Sequence, residues 1–195
     1  QVRFLKMERA VDRLTQLTDN CLADARLSAG SLYLERDPTS LHELIHSAAA
    51  VASLSDRHRL EIVVDGQTVQ QADSEGPEIL VDPALMRIAL ANVIDNAVKY
   101  SSGGTVRVEC RTNGGFTTVS VSDEGEGIPD SLEPYIFERY RRTGAGRANH
   151  QGVGLGLYVA RQILEAHAGR LELMENSNRG CRFDFTIPQH GRGAG

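Results

Sequence analysis

At 195 residues the chain is long enough for one well-buried core and an appendage. Its 41% hydrophobic and 24% charged residues are ordinary for a globular protein, and a net charge of −5 argues against a broad nucleic-acid-binding surface. No apolar run approaches the roughly 20 residues that cross a bilayer, and no signal peptide is visible. Cys21, Cys110 and Cys181 are too scattered for a metal motif, which suits thiols packed in a helix seam or a core in a reducing compartment. The piece given is expected to be cytoplasmic, although it could belong to a longer membrane protein.

The first predicted element is a helix. Phe4, Met7, Val11, Leu14, Thr18, Cys21, Ala25 and Ser28 alternate three- and four-residue steps, a heptad seam that ends at Gly30. The seam is narrow, which favours an intermolecular or bundle helix over one packed on its own domain. Residues 31–38 read as an extended linker ending at Pro38. Ser40 and Glu43 form a capping box for a helix from 41 toward 54. Strand-like runs follow at 59–65 and 78–81, separated by a polar stretch. Asp82 caps the next helix, with Pro83 in its first turn, and that helix runs to about Tyr100. Runs 105–111 and 116–122 read as a hairpin around Asn113-Gly114-Gly115. After two Gly-rich loops and a short helix between them, a helix over 154–168 stops at Gly169. Runs 170–175 and 182–187 then close an α/β fold with a mixed sheet. Residues 189–195 form a tail expected to be disordered.

Three stretches carry candidate chemistry. Asn92, Asn96 and Lys99 share one face of the helix after Asp82, flanked by Leu85, Ile88, Ala89 and Val93. Buried amides and an ammonium demand polar company. A hydrated Mg²⁺ and phosphates would supply it, although a self-satisfied hydrogen-bond cluster would too. Asp123-Glu124-Gly125-Glu126-Gly127-Ile128 follows a strand directly. Its glycines would let the backbone approach a flat ligand, and its aspartate could accept from an exocyclic amine; the plain alternative is an acidic turn. Gly152-Val153-Gly154-Leu155-Gly156-Leu157 opens a helix whose exposed N–H groups suit phosphate, or else permits close helix packing. It matches neither the dinucleotide fingerprint nor the P-loop.

The order of these stretches, with Tyr135-Ile136-Phe137-Glu138-Arg139-Tyr140 between the second and third, resembles the N, G1, F and G2 boxes of sensor histidine kinases. Arg179-Gly180-Cys181-Arg182-Phe183 is similar to the family's last glycine box, with Cys181 where Thr or Ser is usual. The resemblance covers essentially residues 1–188. It implies a Bergerat-type (GHKL) α/β (α+β) sandwich of a mixed five-stranded sheet and about three helices, preceded by one long heptad helix. It divides the chain into the second helix of a dimerisation and phosphoacceptor hairpin (1–30), a linker (31–38) and a catalytic ATP-binding domain (39–188).

By the same resemblance, Asp123 would bind the adenine amino group, with Gly125, Gly127 and Ile128 shaping that pocket. Asn96 would coordinate Mg²⁺ with help from Asn92, Lys99 would reach the phosphates, and Tyr100 would pack near the base. Of three arginines between 139 and 142, Arg139 would belong to the nucleotide site. Arg142 falls where the family places an Arg that meets the γ-phosphate, and with Asn92 it would be catalytic. Gly152, Gly154, Leu155, Gly156 and Leu157 would surround the phosphates, and 143–151 would form a mobile lid. The implied activity is ATP-dependent phosphorylation of a histidine for relay to a response-regulator aspartate. The implied partners are a second copy through the N-terminal helix and a receiver domain, the implied parent is a sensor in the inner membrane, and no nucleic acid is implied.

No phosphoacceptor motif occurs in this chain, so the fragment itself is expected not to autophosphorylate. His42-Glu43-Leu44-Ile45-His46 matches the HExxH zinc pattern, yet no third ligand follows and capping explains Glu43. His58, His150, His167 and His190 are expected at the surface or in the lid. Two other functions compete. ATP-driven clamps of this fold place a catalytic glutamate where Asn92 stands, and a pseudokinase that only dimerises would fit Cys181 and the absent acceptor.

Overall fold

Asp82 ends a strand and opens a helix, and the fold is arranged about that helix. The computed structural model describes residues 2–29, 33–52, 57–69, 77–140 and 154–189, with the side chains of these except 2–10, 12 and 13. In chain order the elements are α1 (Val2–Ser28), β1 (Asp37–Ser40), α2 (Leu41–Val51), β2 (His58–Val64), β3 (Gln67–Val69) and β4 (Glu78–Val81). They continue with α3 (Pro83–Tyr100), β5 (Gly104–Asn113), β6 (Phe116–Ser122), a short 3-10 turn (Glu133–Tyr135), α4 (Gly156–Ala166), β7 (Arg170–Ser177) and β8 (Gly180–Pro188).

One sheet has six strands in the order β3-β2-β5-β6-β8-β7, and β1 pairs with β4 in a separate two-stranded ribbon. β2 runs parallel to β5, while the other neighbours are antiparallel, so the sheet is mixed as expected. Burial alternates residue by residue along β6 and β8, as a strand covered on one face requires. Val119, Val121, Phe183 and Phe185 join Leu90, Ile94, Ile163 and Leu164 of the helices in one apolar cluster. Phe185 is wholly buried, a contribution of about 2–3 kcal/mol from its side chain. The result is a two-layer sandwich with α2, α3 and α4 on one face.

The main sheet has six strands rather than the expected five because β3 joins its edge, and a second unexpected short strand, β1, pairs with β4 outside it. β3 folds back on β2 through Asp65-Gly66, whose φ values of 47° and 84° suit a tight hairpin turn. That dipeptide straddles the end of the strand-like run 59–65 and the start of the stretch read as polar. β1 occupies the end of the segment read as linker, matching Asp37 to Val81 and Ser40 to Glu78. Four residues containing Pro38 carry no alternation, so that strand exists because β4 offers an edge. Ser40 does cap α2, accepting from Glu43 N at 3.4 Å, and α2 ends at Val51. α4 begins at Gly156 rather than Gly154, and Gln189 is tied back by its N–H to Gly115 O at 2.7 Å.

α1 corrects the seam reading in one respect. Val11, Leu14 and Cys21 are exposed, which leaves that face unpaired within the chain. A second face, carrying Asn20, Ala23, Asp24 and Leu27, does pack on the domain against α3 and α4. Heptad counting could not see it because it is largely polar. Gly30 lies outside the described residues.

His167 is a second correction, since it is 3% exposed rather than at the surface. Its Nε2 accepts the Asp82 N–H at 2.9 Å, so Nδ1 carries the proton and donates to Ile163 O at 2.7 Å. Asp82 meanwhile accepts from Leu85 N at 3.0 Å and from Glu35 N at 3.2 Å. One residue pair thus joins the start of α3, the end of α4 and the segment leading into β1. Burial holds the His167 pKa below its ordinary 6.5, against the opposing pull of Ile163 O.

Between the ordinary and the lowered value, the unfolded chain binds more protons than the folded one. Stability contributed by neutral His167 is therefore complete above about 6.5 and declines as pH falls below it, levelling off past the folded value. Urea denaturation from pH 8 to pH 5 should show this decline, and His167→Gln should flatten it while lowering stability at neutral pH.

Candidate functional site

α3 must face the sheet on one side and something polar on the other. Leu85, Met86, Ala89, Leu90, Val93, Ile94, Ala97 and Val98 are buried, and they anchor the helix. Asn92, Asp95, Asn96 and Lys99 form the polar stripe. Asn92 is 3% exposed and Asp95 2%, whereas Asn96 and Lys99 are half-buried and Tyr100 is exposed. Asp95 forms an ion pair with Lys99, one turn on. Its Oδ1 is buried with no hydrogen-bond partner, an acceptor that costs free energy until something meets it. Asp95 escaped the sequence reading, although the same periodicity that groups Asn92 with Asn96 includes it.

At the C-terminal end of α3 lies the loop that follows β6. Asp123 Oδ1 accepts from Gly125 N at 2.8 Å and from Cys181 N at 3.4 Å, which leaves Oδ2 to accept from a ligand. Burial pushes the Asp123 carboxyl above its ordinary range, and the two backbone donors pull the other way. A Cβ at Gly125 would stand 2.7 Å from Asp123 Oδ1 and 2.8 Å from Tyr100 O, so the loop fits against α3 only as glycine. Gly180 has φ 125°, and a Cβ there would collide with Asp123 O. An open cavity of about 420 Å³ lies at this end, lined by Ser102, Gly103, Glu124, Gly125, Glu126 and Asn178.

Two residues brace this loop from β7 and β8. Asn176 accepts from Ile128 N and donates to Ile128 O, both at 2.8 Å. Cys181 returns the favour to Asp123 by accepting its N–H at 3.0 Å, and its thiol contacts Asn176 Oδ1 at 3.6 Å. Asn176 had no signal in sequence, because its role depends on a sheet register. The side chain of Ile128 packs on the apolar cluster, and Gly127 sits hard against Ser177 O.

The third stretch lies at the other end of the stripe. A Cβ on Gly156 would be 3.2 Å from Asn92 Oδ1, so the start of α4 abuts Asn92. Leu155 is buried and Leu157 packs on the cluster; their side chains serve the core, and any ligand there would meet backbone. Tyr140 N donates to Gly154 O at 2.9 Å, which ties residues 140 and 154 together. Arg139 forms an ion pair with Asp24 of α1 and stacks over Tyr140 and Tyr158 at 5.1 and 5.7 Å. Arg142, Gly152 and the segment read as a lid, 143–151, lie outside the described residues.

The folded chain therefore gathers Tyr100, Asp123, Gly125, Gly127 and Ile128 at one end of α3. It gathers Asn92, Gly154, Leu155, Gly156, Leu157 and Arg139 around the middle of α3, where the polar stripe begins, with Asn96 and Lys99 between the two groups. The HExxH residues stand apart from both. His42 and His46 Nε2 are 3.1 Å apart on α2, but His42 Nδ1 is buried without a partner. A metal-bound imidazole ordinarily leans that nitrogen on a carboxylate or carbonyl, and no group of three or more ligands forms among the described residues.

A sequence profile described as histidine kinase-, DNA gyrase B- and HSP90-like ATPase matches residues 81–191. The sensor protein KdpD of Mycobacterium tuberculosis is 30% identical over 185 residues, covering 94% of this chain and 21% of that protein. The sensor-like histidine kinase SenX3 of Mycolicibacterium smegmatis is 27% identical over 188 residues, covering 95% of this chain and 47% of that protein. The chain spans less than half the length of either relative. Among solved structures, full-length ShkA in complex with AMPPNP aligns at a TM-score of 0.72 and 27% identity, over 97% of this chain and 39% of that one.

The thiols give a direct check on this packing. Burial pushes both Cys110 and Cys181 up to about 12, with nearby carboxylates adding to it. Cys21 is exposed. At pH 8 a thiol reagent should titrate Cys21 promptly and the other two after denaturation. Cys21→Ser should abolish the fast phase, and a fast phase that survives would contradict the packing of Cys181 behind Asp123.

Proposed function

The chain belongs to the histidine kinase-, DNA gyrase B- and HSP90-like ATPase family, and from that premise we propose that it binds Mg²⁺-ATP along α3 as the catalytic module of a sensor histidine kinase. The observation that carries this reading is the spacing of the two loop clusters on one helix. From Asn92 to Tyr100 is eight residues, about 12 Å along the axis, the order of length over which a nucleoside triphosphate extends. The end at Asp123 offers an acceptor and a close backbone, as a purine amine requires. The end at Gly156 offers a helix start, as phosphates require.

The donor set fits a hard cation. Asn92 and Asn96 present amide oxygens, and the partnerless Asp95 Oδ1 is a buried acceptor beside them. Bound Mg²⁺ would neutralise charge on the phosphates. Asn96 would ligate it with help from Asn92, and Lys99, held by Asp95, would deliver its ammonium to the same phosphates. Arg139 would add charge at the phosphate end, and Arg142, by resemblance, would act on the γ-phosphate. Positioning and charge neutralisation account for the proposed transfer. Asn92 stands where the clamp ATPases of this fold would need a carboxylate, which favours transfer to histidine over hydrolysis.

The same reading gives the domains as 1–30 for the dimerisation helix, 31–38 for the linker and 39–188 for the catalytic unit. A second copy would pair through the exposed Val11 and Leu14 seam, and a receiver domain would accept the phosphoryl group. No helix among the described residues is long and apolar enough to cross a membrane, and we place this part of the protein in the cytoplasm.

Asp123→Asn should weaken ATP binding at least about tenfold, since a lost charge-assisted hydrogen bond costs roughly 1.5–3 kcal/mol; equal affinity in the folded variant would defeat the adenine assignment. Asn96→Ala should remove Mg²⁺-dependent tightening while sparing adenosine binding. If calorimetry shows both falling together, the cation role is unsupported.

Incubated with γ-labelled ATP, the chain should acquire no acid-labile phosphate. His42 and His46 lie on α2 and His167 is enclosed between α3 and α4, so none of these can meet a γ-phosphate in line. Acid-labile label on this chain would place the acceptor within it.

A further inference from the structure

The packed face of α1 reaches the phosphate end of the proposed site. Asn20 Nδ2 donates to Asn92 Oδ1 at 3.0 Å, and Asn92 Nδ2 donates to Asn20 Oδ1 at 2.8 Å. Both amides are buried, at 7% and 3% exposure. One turn further on, Asp24 pairs with Arg139 while itself 6% exposed. Ala23 lies between them, 1% exposed, and lets the two helices approach. A shared amide pair and an enclosed carboxylate are costly features for a helix whose packing could have been apolar. Their partners are two residues that the proposed function places against the phosphates.

The approach to the Asn92 oxygen is restricted from two directions. Gly156 stands so near that an added Cβ would be 3.2 Å away, and the Asn20 N–H group points at it from the other side. That N–H takes one of the oxygen's two lone pairs and repels a cation approaching from its side, so a cation competes with the Asn20 contact for Asn92 Oδ1. Asp24 likewise satisfies Arg139 with an anion, where a phosphate would otherwise stand, and a carboxylate left in place would repel one.

Resting on the nucleotide reading above, we propose that Asn20 and Asp24 act as an intramolecular substitute for metal and phosphate, so that docking of α1 and binding of Mg²⁺-ATP exclude one another. Nucleotide then meets a site of which a fraction is open, and its apparent affinity is reduced by that fraction. By linkage, saturating nucleotide releases the packed face of α1. The exposed seam on the same helix moves with it, so the nucleotide state of the site is transmitted to whatever pairs with that seam.

The test compares the full chain with Asn20→Ala and with the near-isosteric Asp24→Asn, each checked for folding by circular dichroism. Calorimetry with Mg²⁺-ATP should show about tenfold tighter binding in either variant, and adenosine should bind all three proteins alike. Hydrogen exchange should show α1 amides over residues 18–28 speeding up when wild type is saturated with Mg²⁺-ATP. Unchanged Mg²⁺-ATP affinity in both folded variants overturns the proposal, as does nucleotide binding without faster exchange in α1. If adenosine binds none of the proteins, the nucleotide reading itself has failed and the competition falls with it, a result the adenosine arm distinguishes from a failure of the α1 contact alone.

Discussion

A polar stripe on a helix that must also anchor the core is the constraint on which the rest of this structure depends. α3 buries its apolar side against the sheet, and nothing in that layer can satisfy Asn92 or Asp95. Each must find a polar partner, on another element or one turn along the helix, since an unmet buried polar group costs about 1–3 kcal/mol. Asn92 draws in Asn20 of α1, Asp95 draws in Lys99, and the loops after β6 and before α4 close on the two ends. Sheet, helix layer and N-terminal helix are brought together by the same few side chains.

The end near Asp123 is made stiff by elements distant in sequence. Its carboxylate and backbone are bonded to Cys181, and Ile128 is clasped by Asn176. The β7–β8 turn therefore supports a loop some 55 residues earlier in the chain. A thiol at position 181 serves here because the bonds to Asp123 come from its backbone, which any residue could supply. What the side chain adds is a small group that fills the space beside Asn176.

Legibility in the sequence followed the range of the physics involved. Asp82 with Pro83, Ser40 with Glu43, and Gly114-Gly115 between two alternating runs are local signals, and α3, α2 and the β5–β6 hairpin stand where those signals put them. The candidate site residues were legible as three stretches, since each uses neighbours along one helix or one turn. β1 was missed because its pairing depends on an edge supplied by another strand, and β3 because the three strand residues after the Asp65-Gly66 turn are too few to show alternation. Asn176 and the Asn20–Asn92 pair were missed because a polar side chain reveals its partner only in three dimensions. His167 was misplaced for the same reason: an imidazole between two helices looks, in one dimension, like any histidine near a helix end.

The parallel pairing of β2 with β5 bears on how the chain assembles. β5–β6 and β7–β8 are hairpins joined at Asn113↔Phe116 and Ser177↔Gly180, so each closes over a turn of two residues. β2 meets β5 at His58↔Gly104, a closure that spans the β3–β4 segment and all of α3. Loop-closure entropy and the slowness of non-local pairing both argue that this junction forms late. The chain would thus nucleate on α3 and its following hairpin, β2 would join after them, and the still more distant pairing of β6 with β8, from Ser122↔Arg182 to Phe116↔Pro188, would close the sheet last.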